Sequence, residues 1–460
     1  MKEIILFLFL WLPLLSYSQE ASLRTTFLAG SDDQLPFWMT HNQLGRFATQ
    51  GSWQQLTEGT LSGATPLRGQ WSLSYGAHLG LLISPDGADP KIIQSYLALT
   101  GNILRLQAGA FADEEIMGGL SSSNGDLMRS LNYRPYPRVR LSTPGYIPVF
   151  FAPDLLEVKA EYTEGLLPGP RSIDRPHLHH KSFMMRWNAH RSLKLALGLN
   201  HYVFWGGHSE RLGKLPSGFR DYLAYVTGGA GNANFVETEQ QNVAGNHLGS
   251  YLFTAQKDFN SYSLQLNISH PFEDGSGMGF DNLKDNLYTL HWRSNNTGRL
   301  LEEFLIEYLY SKHQSGDRRL EVNVPEEHKR GNDNYFNHGI YRTGFTYLGQ
   351  SMGTPLFMPL AYNPQGVIVG VANNRVSAFH AGAKGSLSKA LTWKAMATLS
   401  RNFGTWRDRY PEVREQLYSI ASLTWKSPRL PLQLSAQTGV DSGGLSRSVG
   451  VGLSGVYRFK

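Results

Sequence analysis

Trp71-Ser72-Leu73-Ser74-Tyr75-Gly76-Ala77-His78-Leu79-Gly80-Leu81-Leu82-Ile83 alternates along its length. One face reads Trp71, Leu73, Tyr75, Ala77, Leu79, Leu81 and Ile83. The other reads Ser72, Ser74, Gly76, His78, Gly80 and Leu82. Successive side chains of an extended chain point to opposite faces, so a period of two marks a strand with one apolar face. The pattern recurs at 156–162, 193–200, 262–269 and 430–437. A soluble sandwich turns such a face inward, whereas a membrane barrel turns it to lipid around a polar lumen.

Three features favour the membrane. The strands approach the roughly 9–11 residues that cross a bilayer at a tilt. Trp71, Trp187, Phe204, Trp292, Tyr310, Trp425 and Tyr457 stand near strand ends, where interfacial girdles lie. Connections near 101–102, 190–192, 259–261 and 389–390 are as short as hairpin turns. At the C-terminus Val449, Val451, Leu453, Gly455, Tyr457 and Phe459 share one face. This resembles the closing strand read by the outer-membrane barrel insertion machinery, except that Lys460 follows the aromatic.

The expected strands are 22–29, 71–83, 92–100, 103–111, 155–163, 181–189, 193–204, 248–258, 262–270, 286–293, 303–312, 318–325, 338–348, 376–388, 391–402, 415–426, 430–440 and 447–459. They make an all-β, antiparallel, transmembrane outer-membrane barrel of about eighteen strands, an even number as in single-chain bacterial barrels. With the C-terminus in the periplasm, parity puts 205–247, 271–285, 349–375, 403–414 and the turn at 441–446 outside. It puts 112–154 and 326–337 inside. Segment 112–154 is too long for a turn, so it is expected to fold into the lumen or pack as a plug.

Composition agrees. Charged residues are 17% of the 460, aromatics 12%, and there are 48 glycines. A mean hydropathy of −0.31 suits strands that are apolar on one face only. Cysteine is absent, which excludes disulfides, thiolate metal sites and a cysteine nucleophile. The net charge of +6 is scattered rather than gathered in a basic stripe, so no nucleic-acid partner is expected. Lys2, the apolar block 4–15, and Ser16 and Ser18 before Gln19 have the plan of a cleaved secretory signal. Residues 1–18 are therefore expected to be removed on export. Residues 19–460 form one barrel domain in the outer membrane of a Gram-negative bacterium, with lipid around it.

No catalytic motif stands out. There is no Gly-x-Ser-x-Gly, phosphate loop, His-Glu-x-x-His or EF-hand loop. His177, His179 and His180 have the chemistry of metal ligands, but a polar loop-to-strand junction explains them without a metal. Glu303 and Glu307 share a strand face, as a glycosidase pair requires, yet a hydrated lumen also accounts for them. Neither cofactor nor metal is expected, and the chain is read as a non-enzyme. The connection 205–247 is richer: Trp205, His208, Phe219, Arg220, Asp221 and Tyr222 mix aromatic faces with groups that bond hydroxyls, as sugar binding needs. Asp274 in 271–277 and Asn334 with Tyr335 in 332–336 have the same character. These nine residues are the expected polysaccharide contacts. The alternative is that the loops pack on themselves and cap the barrel.

Several stretches resemble the capsule assembly family called Wzi, in its Bacteroidetes form. They are Leu35-Pro36-Phe37-Trp38 with Asn42-Gln43-Leu44-Gly45-Arg46, Asn132-Tyr133-Arg134-Pro135-Tyr136-Pro137, and His179-His180-Lys181-Ser182-Phe183. Residues 198–207, 245–251, 270–277 and 333–337 complete the series in order. The resemblance implies an eighteen-strand outer-membrane barrel with a lumen occluded by loops and short helices. It also implies lectin-like, non-catalytic binding of capsular or other surface polysaccharide. A porin for small solutes is the alternative.

Overall fold

The computed structural model describes residues 18–459 except 242, 274, 321 and 326–330. The expected signal sequence therefore falls almost wholly outside the described residues. One antiparallel sheet carries nineteen strands, of which Ile147–Pro148 is a two-residue piece beside its neighbour. The other eighteen pair in chain order and the last pairs with the first, from Ala21↔Phe459 to Gly30↔Gly450, so the sheet closes into a barrel. Closure leaves no unpaired edge, which is what lets strands cross a membrane.

The strands are β1 (Ser18–Gly30), β2 (Trp53–Pro66), β3 (Ser72–Ser84), β4 (Gly87–Thr100), β5 (Arg105–Ala110) and β6 (Pro137–Ser142). They continue as β7 (Leu156–Leu166), β8 (His177–His190), β9 (Leu193–Trp205), β10 (Asn246–Asp258), β11 (Tyr262–Phe272) and β12 (Asn286–Ser294). The last are β13 (Glu303–Tyr310), β14 (Val376–Ser386), β15 (Leu391–Gly404), β16 (Arg409–Lys426), β17 (Leu432–Gly443) and β18 (Ser448–Phe459). The alternation of the sequence becomes two environments. On β18, Val451 and Leu453 are 58% and 64% exposed, while Gly450 and Gly452 face the interior. Leu197, Phe379 and Leu399 likewise point outward, so the apolar face of the wall is the outer one. A continuous apolar exterior of this kind is a lipid-facing surface.

Two expected strands are absent and two unexpected ones replace them. Segment 318–325 starts with a short 3-10 turn at Arg318–Leu320, and Leu320 and Val322 are exposed. Its alternation has no neighbouring strand to pair with. Segment 338–348 alternates because Tyr341, Phe345 and Tyr347 are buried inside the barrel, and only Thr346–Tyr347 is extended. β2 was not expected because its outward face is Trp53, Gln55, Thr57, Gly59 and Leu61, with little apolar contrast. β6 is six residues long and places Arg138 and Arg140 inward. Phe204 is also reassigned: it is fully buried in the interior, not in an outer girdle. The two false strands are consecutive and cancel, so the sidedness counted back from the C-terminus stands down to β6, except for 326–337 between them. Segment 112–154 is instead divided: 111–136 joins β5 to β6 at the end with the long connections, and only 143–155 lies at the short-turn end. Of segment 326–337, residues 331–337 belong to the connection after β13, also at the long-loop end, and 326–330 lie outside the described residues.

Three connections at that end fold into the lumen as a plug: 31–52, 111–136 and, from the connection after β13, residues 311–316 and 331–375. The first contains a short helix, α1 (Phe37–Thr40). Their apolar residues, among them Phe37, Trp38, Leu127, Met128, Tyr335, Phe336, Phe345 and Phe357, form the largest buried cluster of the molecule. The plug is tied to the wall all round. The Trp38 indole donates to Thr398 on β15 (3.1 Å), and Phe37 N donates to Asp441 on β17 (2.9 Å). Ser122 N and Oγ donate to Glu307 on β13 (2.8 and 2.6 Å), and Asn200 on β9 donates to Asp126 (2.7 Å). Gly450 is required by this docking, because a Cβ there would lie 2.6 Å from Pro36 Cδ.

The plug also holds a carboxyl under strain. Asp285, just before β12, accepts bonds from Gln314 N (2.6 Å), His313 N (2.9 Å) and the Tyr335 hydroxyl (2.8 Å). Burial still pushes its pKa up from 3.8 to about 6. Between those values the folded chain keeps a proton that the unfolded chain has released. Stability therefore falls as pH rises through this window, by up to about 3 kcal/mol, and levels off above it. Asp285→Asn should flatten that part of the stability–pH curve relative to the unsubstituted chain, measured by urea unfolding in vesicles at pH 4 to 7. An unaltered slope would show that Asp285 is not its source.

Candidate functional site

The long-loop end carries two clusters in which aromatic and polar side chains meet. The first is built on the ends of β7, β8 and β9 under the connection 206–245, whose main element is α2 (Phe219–Thr227). Gly218 starts this helix, the Asp221 carboxylate caps it by accepting from Gly218 N (3.0 Å), and Gly228 ends it in the left-handed conformation. The Trp205 ring stacks on His177 (4.3 Å) and leans on Tyr222 (5.0 Å). Its Nε1 donates to Glu164 (3.3 Å). The Tyr222 hydroxyl donates to Glu164 Oε1 (2.5 Å), and His179 Nδ1 lies 2.6 Å from the same oxygen. Burial, and then the Glu164 carboxylate, hold the Tyr222 phenol well above its ordinary pKa, so it stays a donor.

The nine expected contacts do not form one site. Trp205 and Tyr222 come together. His208, Phe219 and Arg220 on the same connection are exposed. Asp221 is buried in the cap and also accepts from Asn232 (3.0 Å). Asn334 and Tyr335 lie in the plug: Asn334 accepts from Asn374 (2.7 Å), and Tyr335 is fully buried with its hydroxyl between Asn282 and Asp285. Asp274 lies outside the described residues.

Sequence reading missed the second cluster. Trp406, between β15 and β16, has Arg375 and Arg409 over its ring system, with guanidinium carbons 3.7 and 4.4 Å from the ring centroids. Arg409 and Arg319 both pair with Asp317 (2.5 and 3.0 Å). Their bonds, Arg319's first, hold the Asp317 carboxyl below its usual range. Burial and the nearby Arg409 bring Arg375 down to about 10, still charged at neutral pH. Arg414 covers Tyr410 in the same way (4.0 Å). The only local sign was Trp406-Arg407-Asp408-Arg409. Arg375 and Asp317 come from far along the chain, so spacing did not reveal them.

The carboxylates that invited a catalytic reading are committed to structure. Glu303 pairs with His291 (3.0 Å) and Lys384 (3.1 Å), and Glu307 accepts from Ser121, Ser122 and Thr289. Among the described residues no three His, Asp or Glu side chains converge as a metal site. Below the plug, a polar cavity of about 680 Å³ runs toward the short turns, lined by Asp113, Arg129, Arg140, Lys159, Arg186 and Lys194 among others.

No protein-family model and no curated protein sequence matches the chain. Solved structures do. One, described as Wzi, an outer membrane protein involved in group 1 capsule assembly in Escherichia coli and a carbohydrate-binding β-barrel, aligns over 100% of this chain and 88% of its own. The TM-score is 0.59 at 11% identity. Acinetobacter baumannii OccAB2 aligns over 97% of this chain and 98% of its own, with a TM-score of 0.51 at 10% identity. At these identities the likeness is one of fold.

Proposed function

We propose that the chain is a non-catalytic outer-membrane barrel that binds and organises capsular or other surface polysaccharide at the cell surface. The observation that carries this reading is the plug: three connections pack a common apolar core inside the long-loop end, so the barrel is a rigid platform there rather than a passage. Groups at that end suit a polyhydroxylated polymer. Half-buried Trp205 and Tyr222 offer ring edges and a donor, exposed His208 offers a polar tip, and exposed Arg409 offers a cation beside the half-buried Trp406 ring. Many weak contacts along a repeating chain raise apparent affinity through effective concentration. Orientation follows from the fold: long connections outside, short turns and both barrel termini in the periplasm. The sequence resemblance to Wzi, and the fold shared with the Escherichia coli protein of that name, support the same reading.

A channel for small solutes is the second reading, favoured by the polar cavity below the plug. It requires the plug to move. The polysaccharide reading is tested by surface retention. Trp205→Ala combined with Tyr222→Ala should lower retained polymer several-fold while the barrel still inserts and keeps its heat-modifiable gel mobility. Arg409→Ala should weaken binding of an acidic polymer more than of a neutral one. Unchanged retention in both variants would count against these clusters as the binding surface.

A further inference from the structure

The connection that carries α2 does not stand away from the barrel. On β8, Phe183, Met185 and Trp187 face lipid, and the same face continues toward the long-loop rim as Lys181, His179 and His177. On β9 the matching series runs from Leu197 to His201, Val203 and Trp205. Both polar ends lie under the connection. Lys181 donates to the Val226 carbonyl, Tyr222 meets Glu164 and Tyr162, and Val203 is buried beneath Tyr225 and Phe235. α2 is therefore packed on the outside of the wall, immediately above the apolar band. The next connection repeats the arrangement: Phe280 stacks on outward-facing Tyr251 (5.2 Å) and His270 (5.1 Å).

Both connections present apolar side chains away from the wall. Phe219 and Leu223, one helical turn apart, are 77% and 45% exposed, while the opposite side of α2 buries Asp221 and Tyr225. Met278, Phe280 and Leu283 are 51%, 48% and 66% exposed. Arg220 and Lys284 stand exposed beside them. A short helix with one apolar face, beside cations and continuous with a lipid-facing wall, has the make-up of an element lying in the plane of a membrane interface.

We propose that α2 and residues 275–285 form an interfacial shelf immersed in the outer leaflet. Phe219, Leu223, Met278 and Phe280 rest against acyl chains, and Arg220 and Lys284 meet the anionic headgroup of the surrounding glycolipid. The occupant is lipid rather than a second copy of the chain, because the shelf continues the lipid-facing wall and carries cations suited to anionic headgroups. This holds whether or not the barrel binds polysaccharide.

The chain has no cysteine, so single-cysteine reporters need no background removal. Phe219→Cys, Leu223→Cys and, as a water-facing control on the same connection, Glu210→Cys would each be labelled with an environment-sensitive fluorophore. The full barrel would be folded into vesicles of anionic lipid carrying a shallow spin-label quencher, with unaltered gel mobility as the check on folding. The shelf predicts blue-shifted emission and at least two-fold stronger quenching at 219 and 223 than at 210. It also predicts less quenching at 219 on adding Arg220→Ala. Emission and quenching at 219 and 223 equal to those at 210 would overturn the proposal. So would a blue shift that grows with protein-to-lipid ratio and is not quenched by lipid, since that would place a second copy there. No response to Arg220→Ala would overturn the headgroup contact.

Discussion

Asp113→Asn should destabilise the folded chain by roughly 3–5 kcal/mol, the cost of removing one partner from a buried ion pair. Asp113 Oδ1 receives Arg129 (2.8 Å), Arg138 (3.0 Å) and Arg140 (2.5 Å). Those arginines hold its carboxyl well below the ordinary value although burial alone would raise it. Glu161 is the second anion, taking Arg129 (3.1 Å) and Arg140 (2.9 Å). With asparagine at 113, Arg129 and Arg140 keep only Glu161, and Arg138 keeps no carboxylate partner. Arg138 suffers most: its side chain is 2% exposed, and its remaining bond is to the Phe111 carbonyl (2.6 Å). Because Asp113 and Arg129 belong to the plug and Arg138 and Arg140 to β6, the loss should loosen the plug. Urea unfolding in vesicles measures it. A loss under 1 kcal/mol would mean that water reaches the arginines and screens them.

Trp38→Ala should cost about 3–5 kcal/mol, the usual range for truncating a buried tryptophan. Trp38 is 1% exposed and links three parts of the structure. Its indole bonds Thr398, which also lies 2.7 Å from His380 Nδ1, and His380 Nε2 lies 2.7 Å from the Leu120 carbonyl. Its ring packs edge-on against His380 (5.4 Å) and Phe37 (4.9 Å), and Phe37 stacks on Tyr418 (4.2 Å). Trp38→Phe keeps most of the volume and loses the donor, so it should cost about 1 kcal/mol. Near-ultraviolet circular dichroism with thermal melting separates the two. Equal melting of both variants would show that the hydrogen bond, not the packing, fastens this segment.

The barrel was legible because lipid imposes alternation on every strand that crosses it. Legibility failed where that constraint is weak. β2 carries glycine and threonine outward, and β6 is six residues long. It also failed where another constraint imitates it. The plug buries Tyr341, Phe345 and Tyr347 inside a lumen, and every second residue looks outward-apolar in sequence. Several of the family-like stretches contribute plug fastenings. Asn132 Oδ1 accepts from Asn42 N (3.0 Å), Asn200 ties Asp126, and Phe336 N donates to Glu273 (2.7 Å). These residues take part in filling the lumen. Loop chemistry alone does not distinguish an exposed Arg220 from a buried Tyr335. That difference depends on which way each connection folds, into the lumen or down the outer wall.

The most direct test of the account is single-channel conductance of the purified barrel in a planar bilayer, before and after adding surface polysaccharide from the host. The plugged, polymer-binding barrel predicts a closed baseline. It also predicts that Trp38→Ala, with its plug loosened, shows openings that added polysaccharide alters from the long-loop side. A steady open channel in the unsubstituted protein, blocked by small solutes and indifferent to polysaccharide, would contradict the account and identify a porin.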